Sequence, residues 1–179
     1  DSVWWGSWYS QGNVAATVRA AFESHSSYSG GLAVYPGLEF ILLKPSFGDI
    51  APVDIGVAAR GHLGVGFDSY LDNNLTVGVG ALGTAHLGLR GLDFLSPDLV
   101  GRFDYFLELG IEVDLIRYDT DSSLLNVAVL TGLNYHLNPS FAVTLGYTQW
   151  GRMSGAYIGA QIKFGPSPEV TELEVRTPS

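Results

Sequence analysis

A chain without cysteine leaves its four histidines, His25, His62, His86 and His136, as the residues most open to chemistry. Thiol nucleophiles, thiolate metal sites and disulfide frameworks are excluded together. A carboxylate beside an imidazole orients a base or ligates a metal. If hairpin registers follow the loop centres, Asp54 falls opposite His86 and Asp104 opposite His136. No two histidines stand at ligand spacing along one strand face, so neither a metal nor a cofactor is expected. A nucleophile, a histidine and an acid come together at Glu23, His25, Ser26 and Ser27. Serine and histidine in a polar loop are ordinary turn composition, and no spaced signature accompanies them. The expectation is therefore a chain with no catalytic residues. Arg60, Gly80 and Glu112 fall on one row, which predicts an Arg60 to Glu112 bridge across the glycine.

The elements that carry these side chains are strands. From 52 to 67, Val53, Ile55, Val57, Ala59, Leu63, Val65 and Phe67 alternate with Asp54, Gly56, Arg60, His62, Gly64 and Gly66. A period of two separates the faces of a strand. The same test gives strands at 14–22, 32–43, 75–89, 103–115, 125–137, 141–150 and 156–164, eight in all. Turn-forming clusters separate them, and no helical period intervenes. No stretch reads as a membrane-crossing helix, since the longest uncharged run, 73–89, itself alternates. Eight consecutive hairpin-linked strands predict an all-β, eight-stranded antiparallel up-and-down barrel, which removes both sheet edges.

Composition decides which face points out. Only 15% of residues are charged, lysine occurs only at Lys44 and Lys163, and the formal net charge is -9. Nucleic acid is excluded as a partner, because phosphate binding needs clustered Lys and Arg. A soluble lipocalin-like barrel binding a small apolar ligand is an alternative, yet its outer face would then be mostly Gly, Ala, Thr and Asn. The charges on the strands, Arg19, Glu23, Glu39, Asp54, Arg60, Arg90, Asp104, Glu108, Glu112, Asp114 and Lys163, all share the face opposite the apolar one. They are expected to point inward as a lumenal network with His86 and His136, four basic groups against seven acidic. A narrow eight-stranded interior needs small residues beside long ones, which gives the 23 glycines a use. Aromatics at Phe22, Phe67, Phe103, Tyr105, Tyr118, Tyr135, Phe141, Trp150 and Phe164 sit where interfacial girdles belong.

Two stretches carry a family resemblance. Asn134-Tyr135-His136-Leu137-Asn138-Pro139-Ser140-Phe141 looks like a short periplasmic turn, and Tyr157-Ile158-Gly159-Ala160-Gln161-Ile162-Lys163-Phe164 looks like a C-terminal barrel-insertion signal. With the eight strands, the chain resembles the small outer-membrane β-barrels of the OmpA and OmpX type. The resemblance implies a Gram-negative-type envelope, integral residence in outer-membrane lipid, dealings with the barrel-insertion machinery, and both termini in the periplasm. It divides the chain into a Trp-rich periplasmic segment at 1–12, a transmembrane barrel at 13–164 and a periplasmic tail or linker at 165–179. An exported chain from which a signal peptide has been removed is expected.

The outward loops, 23–31, 68–74, 118–123 and 151–154, are short. The spare sequence lies at the other end, and the expected role is a non-enzymatic anchor or structural assembly subunit with a side-chain-filled lumen; a small cation-preferring channel is the alternative. Trp4, Trp5, Trp8, Phe94, Leu173 and Val175 are the candidate contacts for a periplasmic or lateral protein partner. The Trp4-Trp5-Gly6-Ser7-Trp8-Tyr9 run also reads as an interfacial anchor. Pro36, outward on strand two, removes a ladder donor and is expected at a bulge or lateral contact.

Overall fold

The computed structural model describes residues 8–25, 28–45, 53–67, 74–88, 102–117 and 124–165. Eight strands follow one another: β1 Val14–His25, β2 Tyr28–Leu43, β3 Val53–Gly66, β4 Leu75–Gly88, β5 Phe103–Ile116, β6 Leu125–Asn138, β7 Phe141–Trp150 and β8 Met153–Phe164. Each pairs antiparallel with the next, and β8 pairs antiparallel with β1, which closes the barrel. Among the described residues no helix is long and apolar enough to cross a membrane. The alternation that predicted the strands reappears as burial: along β3, successive residues point alternately in and out. Val57 is 48% exposed, whereas Asp54 and Arg60 are 3% and 2% exposed. The apolar side chains thus face outward, against the lipocalin-like alternative, which needs them inside.

Strand ends differ from the sequence reading in two places. β1 and β2 run on to His25 and back from Tyr28, into the segment expected to be a nine-residue loop at 23–31. Gly30 and Gly31 read as turn residues, but a Cβ at Gly31 would lie 2.7 Å from the Val65 carbonyl oxygen, so this glycine serves a close approach between β2 and β3. β7 and β8 are joined at Gly151 and Arg152, with Gly151 at φ 57°, the left-handed region a tight hairpin requires.

Registers can be read directly. Asp54 does stand opposite His86, and Arg60, Gly80 and Glu112 do share a row. Asp104, however, stands opposite Asn134, two residues from the expected His136. The last β5–β6 pair is Val113 with Leu125, while β5 continues to Ile116 alongside β4 through a bulge at Val77 and Gly78. The hairpin is therefore asymmetric about its loop, and a register centred on the loop is displaced. Pro36 is exposed and breaks the β2–β3 ladder, but pairing resumes in the same register on either side of it. The β2 bulge lies instead at Ile41 to Leu43, and the Pro36 ring rests over Gly61.

Candidate functional site

Among the described residues the lumen gathers the polar chemistry, and it has three zones along the barrel axis. In the middle, Arg19 of β1 and Arg60 of β3 converge on Glu108 of β5. Arg19 Nη2 lies 2.6 Å from Glu108 Oε1, while Arg60 donates from Nε to Oε2 at 2.8 Å and from Nη2 to Oε1 at 2.7 Å. The forked geometry matches guanidinium to carboxylate. Arg60 also donates from Nη1 to Thr17, and Arg19 lies 4.8 Å from the Phe106 ring centroid. Tyr157 and Leu130 fill the space beside them.

Towards the end where β1 begins and β8 stops, the polar contacts continue without a break. Glu39 lies 3.8 Å from Arg60 Nη2, accepts from Thr84, and meets His86 Nε2 at 2.8 Å. His86 Nδ1 faces Asp104 Oδ1 at 3.0 Å, so this ring has a carboxylate at each nitrogen, an arrangement that suits an imidazolium donating from both. Asp104 further accepts from Asn134 at 3.0 Å and meets His136 Nε2. The expected partnership of Asp104 and His136 is present between side chains despite the displaced register. His136 Nδ1 lies 3.3 Å from Lys163 Nζ, which donates to the Trp8 carbonyl at 2.7 Å. Asp54 is buried across the ladder from His86.

Residues 8–13 fold back into this mouth as a plug. Gly12, at φ 86°, turns the chain, and its amide donates to the Ile41 carbonyl at 2.9 Å. The Trp8 ring stacks on His136 with centroids 4.2 Å apart, and Lys163 Nζ lies over both the Trp8 and Tyr9 rings at 5.3 and 4.7 Å. Tyr9 donates to Gln161 at 2.9 Å and accepts from Asn134 at 3.3 Å. Burial, with Asp104 and Glu39 nearby, pushes the Tyr9 phenol well above its ordinary range, so the group stays a neutral donor. Trp8 is thus inside the barrel, not at a membrane interface as expected. No period precedes β1, and the sequence holds no signal that would have turned this segment inward.

At the opposite, loop end, the filling is aromatic. His62 stacks on Trp150, and Tyr35 packs tilted against both, with Tyr35 and Trp150 centroids 5.4 Å apart. Tyr35 donates to Glu23, His62 Nε2 meets Glu23 Oε2 at 3.2 Å, and Thr76 Oγ1 meets His62 Nδ1 at 3.2 Å. Hydroxyl, imidazole and carboxylate in series is the connectivity of a nucleophile relay. Here all three side chains are enclosed in the lumen, and Tyr35 occupies the remaining Glu23 oxygen. Trp150, expected in an interfacial girdle, is fully buried. Its parity with Thr144, Gly146 and Thr148 on β7 is the signal that places it inside.

The predicted Arg60 to Glu112 bridge does not form. Trp150 covers the intervening glycine, its Cη2 lying 2.9 Å from where a Gly80 Cβ would be. Arg60 instead turns over Gly37, where a Cβ would sit 2.5 Å from Arg60 Cδ, and reaches Glu108. Glu112 is left beside Asp114 and Asn126 at the loop end, with neither carboxylate oxygen hydrogen-bonded.

The remaining network members are placed as follows: Arg19, Glu39, Asp54, Arg60, His86, Asp104, Glu108, Glu112, Asp114, His136 and Lys163 all project into the lumen. Of the candidate partner contacts, Trp4, Trp5, Phe94, Leu173 and Val175 lie outside the described residues, as do Arg90, Ser26, Ser27 and the His25 side chain. Among the described residues, no group of three or more His, Cys, Asp or Glu has a geometry to hold a metal ion.

No protein-family model and no curated protein matches the chain. Solved structures do match. The outer membrane enzyme PagL is 14% identical with a TM-score of 0.55, and the match covers 84% of this chain and all of that one. Neisserial surface protein A is 16% identical with a TM-score of 0.53, covering 87% of this chain and 98% of that one. A structure from the de novo design of transmembrane β-barrels is 15% identical with a TM-score of 0.51, over 87% and 98%. The chain therefore has the eight-stranded fold of small outer-membrane barrels. At these identities the likeness is one of fold alone.

Proposed function

We propose that this protein is an integral outer-membrane barrel that serves as a non-enzymatic anchor or assembly subunit, with both termini on the periplasmic side. The observation that carries the reading is the apolar belt. Every strand presents large apolar side chains to the outside, among them Val18, Leu38, Val57, Val79, Leu109, Val127, Leu145 and Ile158. Water would not tolerate so much contiguous apolar surface, whereas a bilayer requires it. Twelve residues at about 3.3 Å each, tilted about 40°, rise about 30 Å, the thickness of a bilayer's hydrocarbon core. The lumen supports an anchor over a wide pore, because Arg19, Arg60, Glu108, Phe106 and Tyr157 occupy its middle.

Two experiments test this. The chain should partition with outer membranes and, once purified, require detergent; a stable monomer in detergent-free buffer sinks the membrane reading. For the role, photo-crosslinking probes at Phe94 and Leu173 should yield protein adducts in cells, compared with probes at Tyr70 and Asp121. Adducts from the second pair alone would make this an outward-facing binding protein instead.

A further inference from the structure

Glu112 and Asp114 of β5 stand two residues apart on the lumenal face, and their carboxyl groups lie within hydrogen-bond reach of each other. Both are enclosed, at 0% and 6% exposure. The neighbouring β4 offers them only Gly80 and Gly78 in register, and on the other flank Glu112 faces Asn126 of β6. Asn126 Nδ2 donates to Asp114 Oδ2 at 3.2 Å, and the same amide lies beside Glu112. A carboxamide has two N–H groups to set against four carboxylate oxygens. Two carboxyl groups this close, and this enclosed, do not both ionise.

Packing and charge say how the pair is relieved. A Cβ at Gly151 would lie 2.7 Å from Glu112 Oε1, so the β7–β8 turn closes over that oxygen. A Cβ at Gly78 would lie 3.0 Å from Trp150 Nε1 and 3.1 Å from Asp114 Oδ1, so backbone and indole crowd the second carboxyl. A hydrated ion needs space here, and a proton needs none. The charged neighbours then decide which carboxyl carries it. Arg117 and His62 act on Asp114, whereas the charges acting on Glu112 are Asp114 itself and Glu23. His62 of β3 and Glu23 of β1 already meet each other at 3.2 Å. The negative charge therefore belongs on Asp114 and the proton on Glu112.

We propose that Glu112 and Asp114 share one proton at neutral pH, donated by the Glu112 carboxylic acid to the Asp114 carboxylate, and that this bond is a pH-sensitive fastening of β5 beneath the β7–β8 turn. Loss of the proton to solvent leaves two negative charges under Gly151 and Trp150, and the loop end loosens. An exposed carboxyl of the unfolded chain gives up its proton at about pH 4. Above that pH the folded chain binds one proton more than the unfolded chain. Stability therefore falls as pH rises, until the folded pair has released its proton. The device is independent of the anchor role and stands if that role fails.

The test uses the folded full chain in detergent micelles and two measurements. Infrared spectra at neutral pH should show the C=O stretch of one protonated carboxyl in the native chain, and E112Q should lack it. The urea midpoint of the native chain should fall as pH rises from about 6 to about 9, and most of that fall should be lost in E112Q, whose amide donates to Asp114 at every pH. The histidines and Lys163 are common to both chains, so the difference between the two isolates the pair. Absence of the carboxyl band from the native chain, or its persistence in E112Q, overturns the proposal. A fall in E112Q as large as the native one overturns it as surely. Should E112Q fail to fold, E112A takes its place in both comparisons, with the same outcomes expected and the same outcomes fatal.

Discussion

In the half of the lumen where β1 begins and β8 stops, Glu39 and Asp104 are each approached by more than one donor, and the contacts run in series from Glu108 to the plug carbonyl of Trp8. In the loop half, Glu112 and Asp114 stand on the same face of β5, yet three of their four oxygens have no hydrogen-bond partner. Residue type does not distinguish Glu108 from Glu112, and neither does burial, since both are fully enclosed. What differs is who can reach them. Gly37 leaves room for Arg60 to turn towards Glu108, and Trp150 over Gly80 blocks the route to Glu112. One half therefore holds itself together chiefly through ion pairs that run in series, while the other holds itself chiefly by packed aromatic rings. The same inward polar face thus stabilises through ion pairs at one end and yields to ring packing at the other.

The most severe way to break this contrast is Glu108→Ala. It strands two buried guanidinium groups, and breaking a buried pair by removing one partner costs about 3 to 5 kcal/mol. Loss of the folded band at a much lower urea concentration is the expected outcome in folding titrations into lipid vesicles. Close behind comes a charge on the outer face. Val57→Arg or Val79→Arg at mid-strand should each cost about 2 to 4 kcal/mol in the same assay. Unchanged folding in lipid would mean that the faces of the barrel have been assigned the wrong way round.

A milder perturbation isolates the plug. Tyr9→Phe removes a hydroxyl that donates to Gln161 and accepts from Asn134, and losing such a bond costs about 1 kcal/mol. The measurement is again the urea midpoint. Planar-bilayer recording gives a second view, with no large open conductance expected from the native chain or from this variant, because the Arg19, Glu108 and Arg60 layer lies deeper than the plug. A large, stable conductance from either would show that the middle layer does not fill the lumen.

How much of this was legible beforehand depends on periodicity. Alternation located all eight strands and the inward charges among the described residues, because a strand in a closed barrel has one lipid-facing and one lumenal side along its whole length, and centring the hairpin on its loop gave the Asp54 to His86 register. It failed where local composition competes with tertiary use. Gly30 and Gly31 read as a turn but serve close strand approach, and Trp150 read as a girdle residue although its parity on β7 puts it inside. Three-dimensional competition for space was beyond reach: a shared row for Arg60 and Glu112 is visible in sequence, but the indole lying across that row is not. Trp8 and Tyr9 precede any period, so nothing in their neighbours showed that they would enter the mouth.

The finest discrimination between the two halves comes from Glu112→Ala, measured by the same urea midpoint. Had Glu112 bridged Arg60, its loss would rank with that of Glu108. In the structure Arg60 is already satisfied by Glu108 and Thr17, so no guanidinium is stranded. Removing the side chain leaves a small gap beside Asn126 and Gly151, which is unfavourable, and relieves an enclosed carboxylate of its missing donors, which is favourable. The two effects oppose each other, and the net change should stay below about 1 kcal/mol in either direction. A shift in the urea midpoint comparable to that of Glu108→Ala would restore the Arg60 to Glu112 bridge and erase the difference between the two ends. A near-zero shift would sharpen it, because a buried carboxylate would then matter to stability only where guanidinium groups depend on it.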